Sequence, residues 1–283
     1  MKKLNKVTVL APAKINLFLH VIGKTKNNYH LLQSLVYFAD YGDEITIAES
    51  NKFSFENAGL KIPEQNSVIQ AAEKLSKTLK KPLNCKITLS KNIPIGAGLG
   101  GGSSNAAATV KALLKFWKAD INQKILKFIL TSLGADVPSC YTMKPCYFEG
   151  IGEKITTIIN PPELYAILVN PNKQTSTQDV FDNYKSVYTD PIILPQKFST
   201  KYDIVHFLSN TRNDLTKSAC QITPDIQNIL EILNQRENMR MSRMSGSGST
   251  CFSLFDSIEE AENTAIKLKE QYPEWWIKSV TLN

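Results

Sequence analysis

Between Pro94 and Ser104 the chain reads PIGAGLGGGSS, and five of its 13 glycines fall between Gly96 and Gly102. Glycine at so many adjacent positions costs backbone entropy that ordinary turns do not require. A strand pattern at Cys85–Leu89 leads into the loop, and an alanine-rich helical pattern with Val110, Leu113, Leu114 and Trp117 leads out of it. Both ends are therefore anchored. Without Cβ atoms, backbone N–H groups can converge on an anion, and a helix starting near Ser103 adds its unsatisfied N–H groups and positive dipole end. The order strand, glycine loop, helix predicts a nest for phosphate. The alternative is a glycine hairpin without a ligand.

Spacing separates the kinds of phosphate loop. Gly96, Gly98 and Gly101 satisfy G-x-G-x-x-G, but a dinucleotide site then needs a second strand ending in an acidic residue about 20 positions on. Asp120 has nearly that spacing, yet Lys111–Lys118 reads as helix and leaves no room for the strand. The pattern G-x-x-x-x-G-K-[ST] fails because Gly101 is followed by Gly102 and Ser103. The protein-kinase loop fails too, for want of its valine and of the H-R-D and D-F-G segments.

Elsewhere the patterning is β-rich at first. Ile15–Val21 alternates, with Ile15, Leu17, Leu19 and Val21 on one face and Lys14, Asn16, Phe18 and His20 on the other. Strand-like stretches follow at Leu35–Phe38, Glu44–Ala48 and Lys52–Phe55. Asn66 then caps a helix bearing Val68, Ile69, Ala72, Leu75 and Leu79. A helix through Ile125, Leu126 and Ile129 ends at Gly134, and Cys146–Glu149 is strand-like. From Tyr165 onward the order is strand, a Thr/Ser loop, helix at Asp179–Tyr184, helical patterns over 203–235, strand Cys251–Phe255, helix Ile258–Gln271 and strand Trp275–Leu282. That alternation differs from the front of the chain and puts a domain boundary near residue 156.

Pro94–Ser104 resembles the P-x-G-x-G-L-G-S-S loop of the GHMP small-molecule kinases. Ala11-Pro12-Ala13-Lys14-Ile15-Asn16-Leu17 is similar to that family's first motif, and Met244-Ser245-Gly246-Ser247-Gly248-Ser249 to its late glycine turn. The triple glycine with Ser-Ser-Asn, Tyr29-His30 and Gly134-Ala135-Asp136-Val137-Pro138 resemble the branch whose acceptor is a cytidine diphosphate sugar alcohol. The resemblance spans almost the whole chain in order. It implies an α+β fold of two domains: a ribosomal-S5-like N-terminal domain over 1–156 and a ferredoxin-like α/β sandwich over 157–283, with the active site in the cleft between them. It also implies ATP-dependent phosphorylation of the acceptor's 2-hydroxyl, on the non-mevalonate route to isoprenoid precursors.

The resemblance implies roles residue by residue. Asp136 accepts the hydroxyl proton, and Lys14 orients the hydroxyl and steadies developing charge. Pro94, Ile95, Gly96, Ala97, Gly98, Leu99, Gly100, Gly101, Gly102, Ser103 and Ser104 hold ATP. Tyr29 and Phe181 stack on cytosine, His30 reads its polar edge, Asn16 and Thr177 meet the sugar-alcohol or diphosphate portion, and Gly246, Ser247 and Gly248 close over phosphates or pack on the main loop. By position alone, Asp136 is also a good helix N-cap, Lys14 an exposed lysine on an edge strand, Phe181 ordinary packing and Gly246–Gly248 a tight turn. Mg2+ is expected to arrive with ATP, with the hydroxyl of Ser103 or Ser104 as an oxygen ligand. Three separated histidines make no metal cluster, and no metal-ligating residue is assigned. Adenine sites in the superfamily lie on variable loops, which makes 60–66 the candidate stretch.

Lys and Arg total 33 against 26 Asp and Glu, for a net charge of +7, and only four of the 33 are arginine. With lysines scattered along the chain, the balance favours anionic small ligands over nucleic acid. Five cysteines, an odd number without a CxxC pair, fit reduced thiols with neither disulfides nor zinc. No apolar run approaches the roughly 20 residues of a membrane span, and Pro12 and Lys14 interrupt the place of a signal-peptide core. A cytoplasmic enzyme, monomeric or weakly dimeric, is expected. Another GHMP kinase acting on mevalonate, homoserine or a sugar is one alternative, and a silent regulator binding nucleotide or RNA is the other.

Overall fold

The computed structural model describes residues 6–58 and 66–283. Most of the adenine candidate stretch, and the first five residues, lie outside them. The described chain forms two compact units, each assembled from separate segments.

The first unit takes residues 6–13, 41–58, 66–93 and 100–143. Its strands come from β1 (Lys6–Lys24) and β2 (His30–Glu49), each of which also supplies the second unit, and from β3 (Ser54–Ala58) and β4 (Cys85–Ser90). β4 runs antiparallel to β2, Glu44 facing Ser90, and parallel to β3. The two stretches expected at 35–38 and 44–48 are one strand. Gly42 makes this continuity possible, since a Cβ there would lie 2.2 Å from the Ala11 carbonyl oxygen on β1.

Four helices complete this unit. α1 (Ser67–Leu79) starts as its sequence predicts, with the Asn66 side chain accepting from the N–H groups of Val68 and Ile69. It buries Val68, Ala71, Ala72 and Leu75, the spacing of one helix face. α2 (Gly101–Trp117) begins two residues ahead of the expected start and buries every residue from Ser104 to Val110. That stretch, small residues for the most part, is enclosed, and α1, α3 (Gln123–Leu133) and α4 (Val137–Thr142) pack on it.

The second unit takes residues 14–40, 94–99 and 144–283. The β2 half here pairs with β5 (Cys146–Gly150), which pairs with β6 (Lys154–Thr157). A run of antiparallel pairs joins β10 (Trp276–Leu282) to β7 (Leu164–Asn170), β7 to β9 (Cys251–Phe255), and β9 to β8 (Met241–Met244). The pattern over 203–235 resolves into α6 (Lys201–Ser209), α7 (Thr216–Ile222) and α8 (Asp225–Asn234); α5 (Thr177–Asp182) and α9 (Ile258–Gln271) lie where helices are expected. Ile167, Val169, Ile229, Leu233 and Leu268 belong to its core. No helix among the described residues is long and apolar enough to cross a membrane.

Candidate active site

The glycine loop alternates. Gly96, Gly98 and Gly100 have φ of +64°, +71° and +62°, a region that favours glycine, while Ala97 and Leu99 between them are buried. Each carbonyl from Gly96 to Leu99 accepts a hydrogen bond: Gly96 from the Thr175 N–H (3.2 Å), Ala97 from the Thr250 N–H (3.1 Å), Gly98 from Ser245 Oγ (3.1 Å) and Leu99 from the Lys14 N–H (2.9 Å). At the start of α2 the N–H groups of Gly101, Gly102 and Ser103 have no intrahelical acceptor. Acceptors are spent and donors are left over, as an anion cradle requires. Gly100 opens α2 without a side-chain cap, so the positive end of the helix dipole is added to those donors.

The two serines that follow have different surroundings. Ser104 is fully buried, gives its hydroxyl to the Pro12 carbonyl at 2.7 Å, and gives its N–H to Gly100 at 2.9 Å. These bonds anchor the first helical turn. Ser103 is half-buried and keeps a hydroxyl of the hard-oxygen type that magnesium takes. No group of three or more His, Cys, Asp or Glu among the described residues could hold a metal. Beside Gly101 stands a buried ion pair that sequence reasoning missed. Lys91 Nζ, 3.3 Å from where a Gly101 Cβ would lie, is 2.5 Å from Asp43 Oδ2. Asp43 Oδ1 also accepts from the N–H groups of Asn92 and Ile93.

Lys14 is 4% exposed, so the reading of an exposed lysine on an edge strand is wrong. β1 is covered on both faces, with every residue from Ala11 to Val21 buried. The Lys14 ammonium lies 5.3 Å from the centre of the Phe148 ring, a cation–π distance. Asp136 stands at the N-cap position of α4, yet its side chain makes no capping bond. The role that position alone favoured is not the one its carboxylate has.

Asn16 is buried beside the late glycine turn. Its N–H donates to Ser245 Oγ (3.0 Å) and its Nδ2 to Ser34 Oγ (2.8 Å). Ser245 therefore bridges the Asn16 strand and the Gly98 carbonyl. A Cβ on Gly246 would meet the Gly98 oxygen at 2.9 Å and Asn16 Oδ1 at 3.3 Å, so this turn packs directly on the main loop. Ser247 and Thr177 share a hydroxyl hydrogen bond of 2.8 Å.

Of the aromatic group, His30 and Phe181 come together, rings stacked with centres 5.0 Å apart, and Tyr184 meets His30 edge-on at 5.8 Å. Tyr184, one helical turn after Phe181, was not foreseen. Tyr29 is 63% exposed, outside this stack. Burial, reinforced by Lys24 and opposed by Asp182, holds the His30 imidazole below its ordinary value of 6.5. A cavity of about 800 Å³ lined by Asn213, Asp214, Lys217 and Cys220 contains none of the assigned residues. Its only carboxylate, Asp214, is engaged by Val21, Thr189 and Arg212.

Two family models match the chain, the GHMP kinases N terminal domain over residues 66–144 and the GHMP kinases C terminal region over 203–274, on either side of residue 156. The chain belongs to the GHMP kinase family, and its α+β class is that of the family. It is similar to the 4-diphosphocytidyl-2-C-methyl-D-erythritol kinase of Wolbachia pipientis wMel, 39% identical over 97% of this chain and 98% of the relative. The enzyme of the same name from Rhizobium etli is 37% identical over 96% of this chain and 94% of the relative. A solved 4-(cytidine 5'-diphospho)-2C-methyl-D-erythritol kinase superposes with a TM-score of 0.79 at 27% identity, covering 98% of this chain and 99% of that one.

Proposed function

We propose that the chain transfers the γ-phosphoryl group of ATP to the 2-hydroxyl of 4-diphosphocytidyl-2-C-methyl-D-erythritol, giving the 2-phosphate and ADP on the non-mevalonate route to isoprenoid precursors. The observation that carries this reading is the near-full-length match to relatives of that name. The glycine loop supplies its chemistry. The domain boundary stays near 156, with residues 1–156 carrying the loop and catalytic groups and 157–283 on the substrate side. The enzyme works in the cytoplasm on a small molecule, as a monomer or weak dimer.

The N–H groups of Gly96–Ser103 receive the ATP phosphates. Pro94 and Ile95 shape the entry to the loop, and Ser104 holds its helical end in place. Mg2+ arriving with ATP would supply positive charge to offset that of the phosphates, and the hydroxyl of Ser103 or Ser104 would be its oxygen ligand from the protein. The acceptor hydroxyl is a weak nucleophile with a pKa far above neutrality, so transfer calls for a carboxylate to take its proton and a cation to steady the developing charge. Asp136 takes the proton as the new O–P bond forms and the bond to ADP breaks, while Lys14 orients the alkoxide oxygen. Dispersed charge in a loose transition state makes positioning by these groups as important as early deprotonation.

On the acceptor side, Tyr29 and Phe181 stack on cytosine. Stacking of this kind is worth about 1–3 kcal/mol and is blind to base identity. A neutral His30 accepts from the exocyclic amine and so selects cytosine. Asn16, Thr177 and the turn at Gly246, Ser247 and Gly248 meet the diphosphate and the sugar alcohol. The test is product formation from the cytidyl alcohol beside mevalonate and homoserine, with Asp136→Asn and Lys14→Ala alongside. Phosphorylation of the cytidyl alcohol alone is expected, and each variant should lose about two orders of magnitude or more in kcat. Near-normal turnover in either folded variant would overturn its assigned role.

A further inference from the structure

Residues 211–214 belong to none of the loops assigned above, yet they touch both the strand carrying Lys14 and Asn16 and the late glycine turn. The Leu19 N–H donates to the Arg212 carbonyl (3.1 Å), the Asp214 N–H to the Leu19 carbonyl (2.9 Å) and the Arg212 N–H to His20 Nε2 (3.2 Å). Asp214 Oδ2 accepts from the Val21 N–H at 2.8 Å and from Thr189 Oγ1 at 2.6 Å. This segment is thus locked to β1 on both sides of Asn213.

Asn213, 5% exposed, carries the link onward. Its Nδ2 donates to the carbonyls of Met244 and Gly246, both at 2.8 Å, and its Oδ1 accepts from the Leu215 N–H at 3.0 Å. Two donors and one acceptor on one planar group are what a carboxamide offers; a carboxylate has no donor and a hydroxyl has one. The carbonyl it holds belongs to Gly246, a residue at φ +57° pressed against Gly98 and Asn16. Any shift of that carbonyl moves the surface that the phosphate loop and Asn16 share.

We propose that Asn213 is a positioning residue for phosphoryl transfer: it fixes the glycine turn relative to the Asn16 strand, and through Gly246 and Ser245 it fixes the Gly98 segment of the phosphate loop. This rests on the kinase reading above. It acts through Gly246 and touches no substrate. Misplacement of a reacting group by about 1 Å costs about 10²-fold, so the loss belongs in kcat more than in either KM.

Asn213→Asp keeps the shape and the acceptor but removes both donors and sets a carboxylate against two carbonyls. Its kcat should fall by about 30- to 100-fold with both KM values within about threefold. Relative to wild type, its kcat should recover as pH falls from about 8 to about 6, because a protonated carboxyl regains one donor. Leu268→Ala, in the core at α9, serves as an equally destabilised control and should keep wild-type kcat per folded molecule. Hydrogen exchange over residues 244–250 reads the same link without turnover, and Asn213→Asp should speed it at least about tenfold while α9 is unchanged. Unchanged exchange overturns the link whatever the chain phosphorylates. Faster exchange with unchanged kcat overturns the positioning role, as does a loss equal to that of Leu268→Ala. Failure of the kinase reading shows separately, as absent wild-type turnover of the cytidyl alcohol.

Discussion

Gly98→Ala tests the packed loop most directly. A Cβ at residue 98 would lie 2.5 Å from the Ser245 oxygen, 2.6 Å from the Gly248 oxygen and 2.8 Å from the Gly248 nitrogen. All three are backbone atoms, so no side chain can swing aside. Reaching the 3.4 Å of ordinary contact requires the two segments to part by about 0.9 Å. Holding alanine at φ +71° costs about 1–2 kcal/mol. Parting also weakens the Ser245–Gly98 and Thr250–Ala97 hydrogen bonds, at about 0.5–1.5 kcal/mol each. The variant should lose about 2–5 kcal/mol of stability, lower the melting temperature by at least several degrees, and lose about 10²-fold in kcat/KM for ATP. Gly102→Ala is the contrast. The nearest atom to its added Cβ is Ser67 Oγ at 3.9 Å, and alanine in a helix gains about 0.5–1 kcal/mol over glycine. Calorimetry and steady-state kinetics on the pair decide the matter. Wild-type melting and ATP kinetics in Gly98→Ala, or equal stability losses in the two variants, would refute a loop held rigid by the glycine turn.

Asp43→Ala leaves Lys91 buried without its partner and strips the acceptor from the Asn92 and Ile93 N–H groups; a loss of about 3–5 kcal/mol is expected. Adding Lys91→Met should recover part of it in urea unfolding, and no recovery would mean the ion pair is not the source. Because His30 titrates below 6.5, its ring is neutral above that pH and keeps an acceptor nitrogen. The KM for the cytidyl alcohol should therefore be level from about pH 8 down to 6.5 and rise below it as the ring takes a second proton. His30→Gln should flatten the rise, and an unaltered profile in that variant would remove His30 from base recognition. Phe181→Ala should raise the same KM by about tenfold, the scale of one stacked base, while the KM for ATP stays put; a change confined to ATP would place the ring elsewhere.

What the sequence made legible was local. The Asn66 cap, the helix at Ile258–Gln271 and the glycine loop between strand and helix all rest on residues within one turn or one strand of each other, where spacing and backbone preference decide. Position alone offered an exposed Lys14 because alternation tells which residues share a face and nothing about what covers it; β1 is buried on both sides from Ala11 to Val21. The merging of two expected strands into β2 depended on Gly42 meeting Ala11, 31 positions away in the chain. Asn213 had no local signal, since its partners Met244 and Gly246 lie 31 and 33 residues on.

The same distinction explains why a glycine-rich loop, which alone would be the most mobile part of the chain, can serve as a preorganised site. Four successive carbonyls, Gly96 to Leu99, are tied to Thr175, Thr250, Ser245 and Lys14, groups 79 to 153 residues away in sequence. A hairpin without a ligand would satisfy its donors on its own carbonyls, and here those carbonyls are already committed elsewhere. The N–H groups are thus kept from collapsing onto the loop itself, and under the proposed function an arriving phosphate would meet donors whose orientation has been settled during folding. Such donors need little reorganisation when charge moves, which is where electrostatic stabilisation of transfer has its greatest effect. Glycine gives the loop its shape, and the distant partners of its carbonyls give that shape its rigidity.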